Sequence, residues 1–175
     1  MLTQDQLKQF VHYDPSTGIF TWRMRTPAMF SAGKYTAERQ CKRFNASSAE
    51  TVAGSLRDDG YIRLRIMNKA YYAHQLAALY MEGVLPPHEM DHINMVRDDN
   101  RWINLRHATR SQNKRNMRAR ADNTTGYKGV SQHKRSGKYV AAVGGRWLGE
   151  FACPELAALV ASEFRATKHG VFARD

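Results

Sequence analysis

Three observations predict an α+β protein built in two parts. The apolar residues Ile62, Leu64 and Ile66 alternate after an Asp59-Gly60 turn, as a half-buried hairpin does. Capping-box spacings stand at Thr3/Gln6 and at Thr109/Gln112, each opening a helix. Beyond a polar break at residues 121–125, three short strand-like runs lead into a helix that starts at Pro154. The chain has 175 residues, 42% of them hydrophobic and 25% charged, which excludes a disordered or low-complexity chain.

The elements follow in order. Leu7, Phe10 and Val11 recur at helical intervals behind Thr3, so the chain opens with a short helix that ends at the Asp14-Pro15-Ser16-Thr17-Gly18 turn. Residues 19–23 alternate as a strand, whereas Thr26 to Thr51 shows no sustained period and reads as a long loop. The hairpin around Asp59-Gly60 presents Arg63 and Arg65 on its polar face, where they are candidate phosphate contacts. Leu76, Ala77 and Tyr80 mark a helix from Tyr72 to Met81, stopped by Gly83 and Pro86-Pro87, with His74 near its start as a packing residue.

Residues 91–113 carry the chemistry: Asp91-His92 in an extended run, a loop rich in Asn, Asp and Arg, Ile103 to Arg106 as a second short strand, then the helix behind Thr109. A carboxylate at Asp91 and a carboxamide at Asn113 are hard oxygen ligands suited to Mg²⁺ or Mn²⁺. His92, with an ordinary pKa near 6.5, can accept a proton from water, which together with such an ion suits phosphodiester hydrolysis. His88 and His92 are also spaced as a helical zinc pair, a reading that Pro86-Pro87 and the strand pattern oppose.

These residues resemble the His-Asn-His (HNH) endonucleases, whose core is a ββα-metal motif, and are similar to the phage homing and nicking members in particular. Asp91 falls on the first motif position, His92 on the general base, and Asn113, 21 residues later, on the helix ligand. The central Asn, which in the family braces the loop between the strands, is best matched by Asn104, with Asn100 as competitor. The upstream runs at 53–62 and 71–74, and the opening His12-Tyr13-Asp14-Pro15 segment, look like the same group, so the likeness reaches from the first helix to about Arg120. It implies catalytic roles for His92 and Asn104, one divalent ion per site on Asp91 and Asn113, and 5′-phosphate and 3′-hydroxyl products.

Lys114, Arg115, Arg118 and Arg120 crowd the end of the motif helix as candidate DNA-phosphate contacts. Past the break, residues 127–132, 138–143 and 146–151 read as three antiparallel strands, and Leu156, Leu159, Val160 and Phe164 as the apolar stripe of the following helix, with Phe151, Leu156 and Phe164 in the core. Gly126-Tyr127-Lys128-Gly129-Val130, Lys138-Tyr139-Val140-Ala141 and Trp147-Leu148-Gly149-Glu150-Phe151 resemble the Apetala-type (AP2/ERF-like) DNA-binding domain. That likeness implies a sheet laid in the major groove, with Lys128, Gln132, Lys134, Arg135, Lys138, Tyr139, Arg146 and Trp147 reaching the duplex.

The expected organisation is therefore an endonuclease domain over 1–120 with its motif core at 88–120, a linker at 121–125 and a DNA-binding domain over 126–175. A net charge of +11 fits double-stranded DNA as the partner, and the excess flanks a nearly neutral middle at 51–110. No membrane partner and no small-molecule cofactor are expected; monomer and dimer stay open. Two distant cysteines and no signal-like opening suggest a cytoplasmic protein, the host cytoplasm if the source is a phage. The rival reading is an inactive DNA-binding regulator on the same scaffold.

Overall fold

The computed structural model describes residues 2–31, 33–116 and 122–173, apart from the side chains of Arg115, Asn116 and Val171. It is a mixed α+β chain whose contacts divide it into two compact units, residues 1–107 and 108–175.

In the first unit, Thr3 caps helix α1 (Gln4–Phe10) by accepting from the Gln6 amide, while the Gln6 side chain accepts from the Thr3 amide. That reciprocal box satisfies two of the backbone donors a helix start leaves over. The chain then enters strand β1 (Val11–Asp14) directly and returns as β2 (Ile19–Trp22), so the Asp14–Gly18 turn closes a hairpin rather than ending the helix. The Asp14 carboxylate shapes that turn by accepting from the Ser16 amide and hydroxyl.

Residues 26–51 depart from the loop expectation. They hold a 3₁₀ turn (Pro27–Met29) and helix α2 (Ala37–Ser47), capped by Thr36. Only Cys41 of α2 is buried, so the helix has too narrow an apolar stripe to show as a period in sequence. What anchors the segment is not periodic: the Arg25 guanidinium sits among Phe10, Trp22, Phe30 and Phe44, 3.8 Å from the Phe44 ring centre.

Strands β3 (Ser55–Leu56), β4 (Ile62–Ile66) and β5 (Lys69–Tyr72) form a three-stranded antiparallel sheet in that order. Leu64 and Ile66 face the core, as their alternation predicts. Helix α3 (Ala73–Glu82) follows β5 without a break and ends on Gly83 at φ +82°, a left-handed cap suited to glycine. Leu7, Val11, Tyr13, Phe20, Leu64, Ile66, Leu76 and Leu79 make one core beneath these elements. Strand β6 (Glu89–His92) pairs with β7 (Leu105–Ala108). Ile103 and Asn104, expected to begin that second strand, lie instead in a 3₁₀ turn (Trp102–Asn104). His92 ends a strand, so the helical pairing of His88 with His92 does not form.

The second unit opens with α4 (Arg110–Asn116), where Thr109 and Gln112 exchange the expected capping-box hydrogen bonds. Strands β8 (Val130–Gln132), β9 (Tyr139–Val143) and β10 (Arg146–Phe151) form an antiparallel sheet with β9 central, and α5 (Pro154–His169) packs on it. The buried row of α5 is Ala157, Ala161 and Arg165, one position out of phase with the expected stripe. Leu156 and Leu159 lie exposed, because the small alanines let the helix backbone approach the sheet; Phe151 and Phe164 pack against the core as expected. Among the described residues, no helix is long and apolar enough to cross a membrane.

Candidate active site

Strand β6 delivers Asp91 and His92 to the edge of the first core, with only 5% and 4% of their surfaces exposed. Burying a carboxylate requires a counter-charge. Arg106, on β7, supplies it: its Nε and Nη2 donate to Asp91 Oδ2 at 2.9 and 2.7 Å.

The His92 ring is oriented from one side. Its Nε2 lies 3.3 Å from Asn100 Oδ1, and the Asn100 Nδ2 donates to the Asp98 carbonyl at 3.0 Å. The second contact fixes which end of the amide faces the imidazole, so Oδ1 accepts and Nε2 carries the proton. Nδ1 is thereby the nitrogen with the lone pair. Asn100 is itself held: the Tyr13 hydroxyl donates to its carbonyl at 2.7 Å, and Gly18 presses against its backbone. A Cβ on Gly18 would stand 2.4 Å from both the Asn100 carbonyl carbon and the Arg101 nitrogen.

Asn104 braces the loop between the strands. Its Oδ1 accepts from the Asn94 amide at 3.0 Å, and its Nδ2 donates to Asn94 Oδ1 at 3.0 Å and to the Asp99 carbonyl at 2.8 Å. Asn94 in turn donates to Asp99 at 2.7 Å, and Arg101 grips the same carboxylate at 2.6 Å, which helps hold Asp99 down to about 2. Of the two asparagines weighed for the central position, Asn104 spans the loop and Asn100 touches the histidine.

Aromatic rings wall the other side of His92. The His74 ring meets it edge-on at 5.1 Å, Tyr61 lies 5.8 Å away, and Tyr72 stacks on His74 at 5.3 Å. Burial pushes His74 down to about 3, with the neighbouring His92 adding to the effect. Burial also lowers His92, opposed by the Asn100 hydrogen bond and by the negative charges of Asp91, Asp99 and Asp98. Both imidazoles are therefore neutral at neutral pH. The His74 Nδ1 is buried without a hydrogen-bond partner among the described residues.

Of the DNA-contact candidates in this unit, Arg63 is tied to Asp59 at 2.6 Å and to the Tyr72 hydroxyl, whereas Arg65 is exposed. Arg106 and the rings of Tyr61 and Tyr72 are site residues that the sequence did not single out, while Asn100 was weighed only for the bracing position and His74 only as a packing residue. Arg106 lies on β7, the strand paired with the β6 that carries Asp91, and the need of a buried carboxylate for a basic partner is the signal that could have found it.

In the second unit, Asn113 lies one turn into α4, its amide bonded to the Thr109 carbonyl at 2.9 Å, and Lys114 beside it is exposed. The Arg115 side chain, Arg118 and Arg120 lie outside the described residues. Gln132 donates to the Gly137 carbonyl at 3.0 Å, while Lys134, Arg135 and Lys138 are exposed. Lys128 is half-buried, its carbonyl accepting from Arg165 at 2.7 Å, and Tyr139 packs against the sheet's core. The Arg146 guanidinium lies 5.3 Å from the Phe164 ring centre, and Trp147 stands 66% exposed beside a β-bulge.

A segment of sequence running from β5 to α4 thus contains Asp91, His92, Asn100, Asn104 and Asn113. Residues 71–115 match the family model of the HNH endonucleases. A solved structure described as "DNA binding and cleavage by the HNH homing endonuclease I-HmuI" is similar to this chain, with 22% identity and a TM-score of 0.41. The similarity covers 61% of this chain and half of that one. None of the curated proteins is a significant match.

HNH nucleases generally use a divalent metal ion. Asp91 supplies one hard-oxygen carboxylate, held in place by Arg106, and such a ligand fits an ion like Mg²⁺, which is commonly held by one or two carboxylates with water and substrate phosphate completing its shell. Among the described residues no three His, Cys, Asp or Glu side chains gather into a larger cluster.

Proposed function

We propose that the chain is a metal-dependent DNA endonuclease of the HNH type, hydrolysing phosphodiester bonds to 5′-phosphate and 3′-hydroxyl ends. The observation that carries this reading is the buried His92, held through Nε2 by Asn100 beside Asp91, inside the segment that matches the HNH model.

His92 Nδ1 takes the proton from the water that attacks phosphorus. Asn100 holds Nε2–H, so the base stays in one tautomer and the imidazolium that forms keeps an acceptor. Asn104 fixes the loop that carries Asn100, and Arg106 fixes the Asp91 carboxylate. Asp91 is proposed as one metal ligand and Asn113 as its companion, the latter on the likeness of the motif alone. A divalent ion held by these residues would supply charge neutralisation at the phosphate and at the leaving oxygen. Lys114, Arg115, Arg118 and Arg120, with the Apetala-like sheet and its Lys128, Gln132, Lys134, Arg135, Lys138, Tyr139, Arg146 and Trp147, are proposed to hold double-stranded DNA, as are Arg63 and Arg65 of the first unit.

The test is incubation with supercoiled plasmid in Mg²⁺, Mn²⁺ or EDTA, followed by treatment of the product with a DNA ligase. Relaxation with either metal, its loss in EDTA and resealing by the ligase support the proposal. Plasmid that is bound yet stays supercoiled in both metals turns the reading towards a DNA-binding protein without nuclease activity.

A further inference from the structure

Residues 26–51 build a pocket in the first unit. The Gln40 amide donates to the carbonyls of Ser31 at 2.8 Å and Tyr35 at 3.0 Å, tying the loop that precedes α2 back onto the helix. Between loop and helix lies a cavity of about 500 Å³ whose walls include Phe30, Tyr35, Arg39, Arg43, Phe44 and Ser47. Helical spacing explains the lining: positions 39, 43 and 47 form one row, and 40, 44 and 48 the adjoining row.

The chemistry of the walls is one-sided. No carboxylate lines the cavity, and Arg39 and Arg43 are exposed without an ion-pair partner among the described residues; Arg39 lies over the Tyr35 ring at 4.7 Å. By contrast, Arg63, Arg101 and Arg106 are each neutralised by an aspartate. Two uncompensated guanidiniums one helical turn apart suit a phosphate, and the aromatic floor suits a flat apolar ring. The volume lies in the range of small-molecule sites and is ample for one nucleotide.

We propose that this pocket holds one unpaired nucleotide of a DNA strand, its phosphate on Arg39 and Arg43 and its base against Phe30, Tyr35 and Phe44. The proposal rests on the DNA endonuclease reading and extends it: the protein prefers DNA in which a base is already free of the duplex stack. A sealed duplex must first unstack a base to use the pocket.

The experiment compares the full chain with two variants by fluorescence anisotropy, in EDTA and near-physiological salt. The probes are a fluorescein-labelled duplex with a two-nucleotide gap and the sealed duplex of the same sequence. Arg39→Gln/Arg43→Gln empties the pocket of charge. Lys42→Gln removes a charge from the same helix outside the lining, and circular dichroism confirms that each variant folds; single-arginine variants replace the double one if it does not. The expected result is a preference of about tenfold for the gapped duplex, lost in the double variant. The slope of log affinity against log salt is expected to fall by about 1.5 in that variant, and Lys42→Gln to stay within about twofold of wild type. Equal binding of the two duplexes by a wild type that still nicks plasmid overturns the pocket alone, as does an equal loss in Lys42→Gln. A wild type that binds neither duplex overturns the pocket and the nuclease reading together.

Discussion

The loop that follows the candidate base and the sheet face of the second unit solve opposite problems. Between His92 and Asn104 polar side chains are satisfied by one another: Asn104 by Asn94 and Asp99, Asp99 by Arg101, Asn100 by His92 and Asp98. On β10 and the turn before β9, Lys134, Arg135, Lys138 and Trp147 stand in solvent. A group that must aim a proton transfer is fixed by burial and mutual hydrogen bonding. The groups proposed to meet a long anion are left exposed, as suits phosphate contacts that set affinity through charge rather than exact placement.

The comparison breaks most severely at Asn104. Asn104→Ala removes three hydrogen bonds and leaves the Asn94 amide and the Asp99 carbonyl unmatched, at a cost of about 2–3 kcal/mol by urea unfolding. The same change is expected to cut plasmid nicking by about a thousandfold while duplex binding, measured by anisotropy, stays near wild type. Gly18→Ala acts one step further away. At φ +75° with the Asn100 backbone against it, any side chain pushes Asn100 off His92, and nicking is expected to fall by about a hundredfold.

The rings behind His92 give a stability prediction with a definite sign. His74 has a folded-state pKa of about 3, below the ordinary value of 6.5, so the unfolded chain binds its proton more readily. Its contribution is fully present above about 6.5 and is lost as pH falls towards 3, at up to about 1.4 kcal/mol per pH unit. Urea midpoints measured from pH 7 down to 4.5 are expected to decline in wild type and to decline less steeply in His74→Phe, where the lowered His92 alone of the two imidazoles keeps part of the slope. The smallest effect belongs to the exposed face: Trp147→Ala is expected to weaken duplex binding about fivefold and to leave nicking at saturating protein unchanged.

What was legible in the sequence was local. Both capping boxes and the Asp59-Gly60 hairpin follow from spacings of a few residues and stand in the structure, whereas Asn104 was picked out by a family likeness alone, and its side chain ties Asn94 to the Asp99 carbonyl. What was missed depends on contacts distant in sequence or on backbone shapes without a residue signature. Helix α2 is anchored by an arginine among four aromatics rather than by its own stripe. Strand β5 follows a two-residue turn in which Met67 and Asn68 both take positive φ, and no glycine announces it. Helix α5 buries alanines where leucines were expected. At the site, Asp91 and His92 were named from their residue types and from a family likeness, while the Asn100 contact requires Tyr13 and Gly18, more than 80 residues upstream, to hold the loop in place.

The most direct test of the central claim, that His92 is the base of a DNA-cutting site, sets His92→Ala beside wild type on supercoiled plasmid with Mg²⁺, with binding of the same plasmid measured in parallel. The account predicts relaxation by wild type, loss of relaxation by about a thousandfold or more in His92→Ala, and equal binding by both. Relaxation by His92→Ala at the wild-type rate would contradict it.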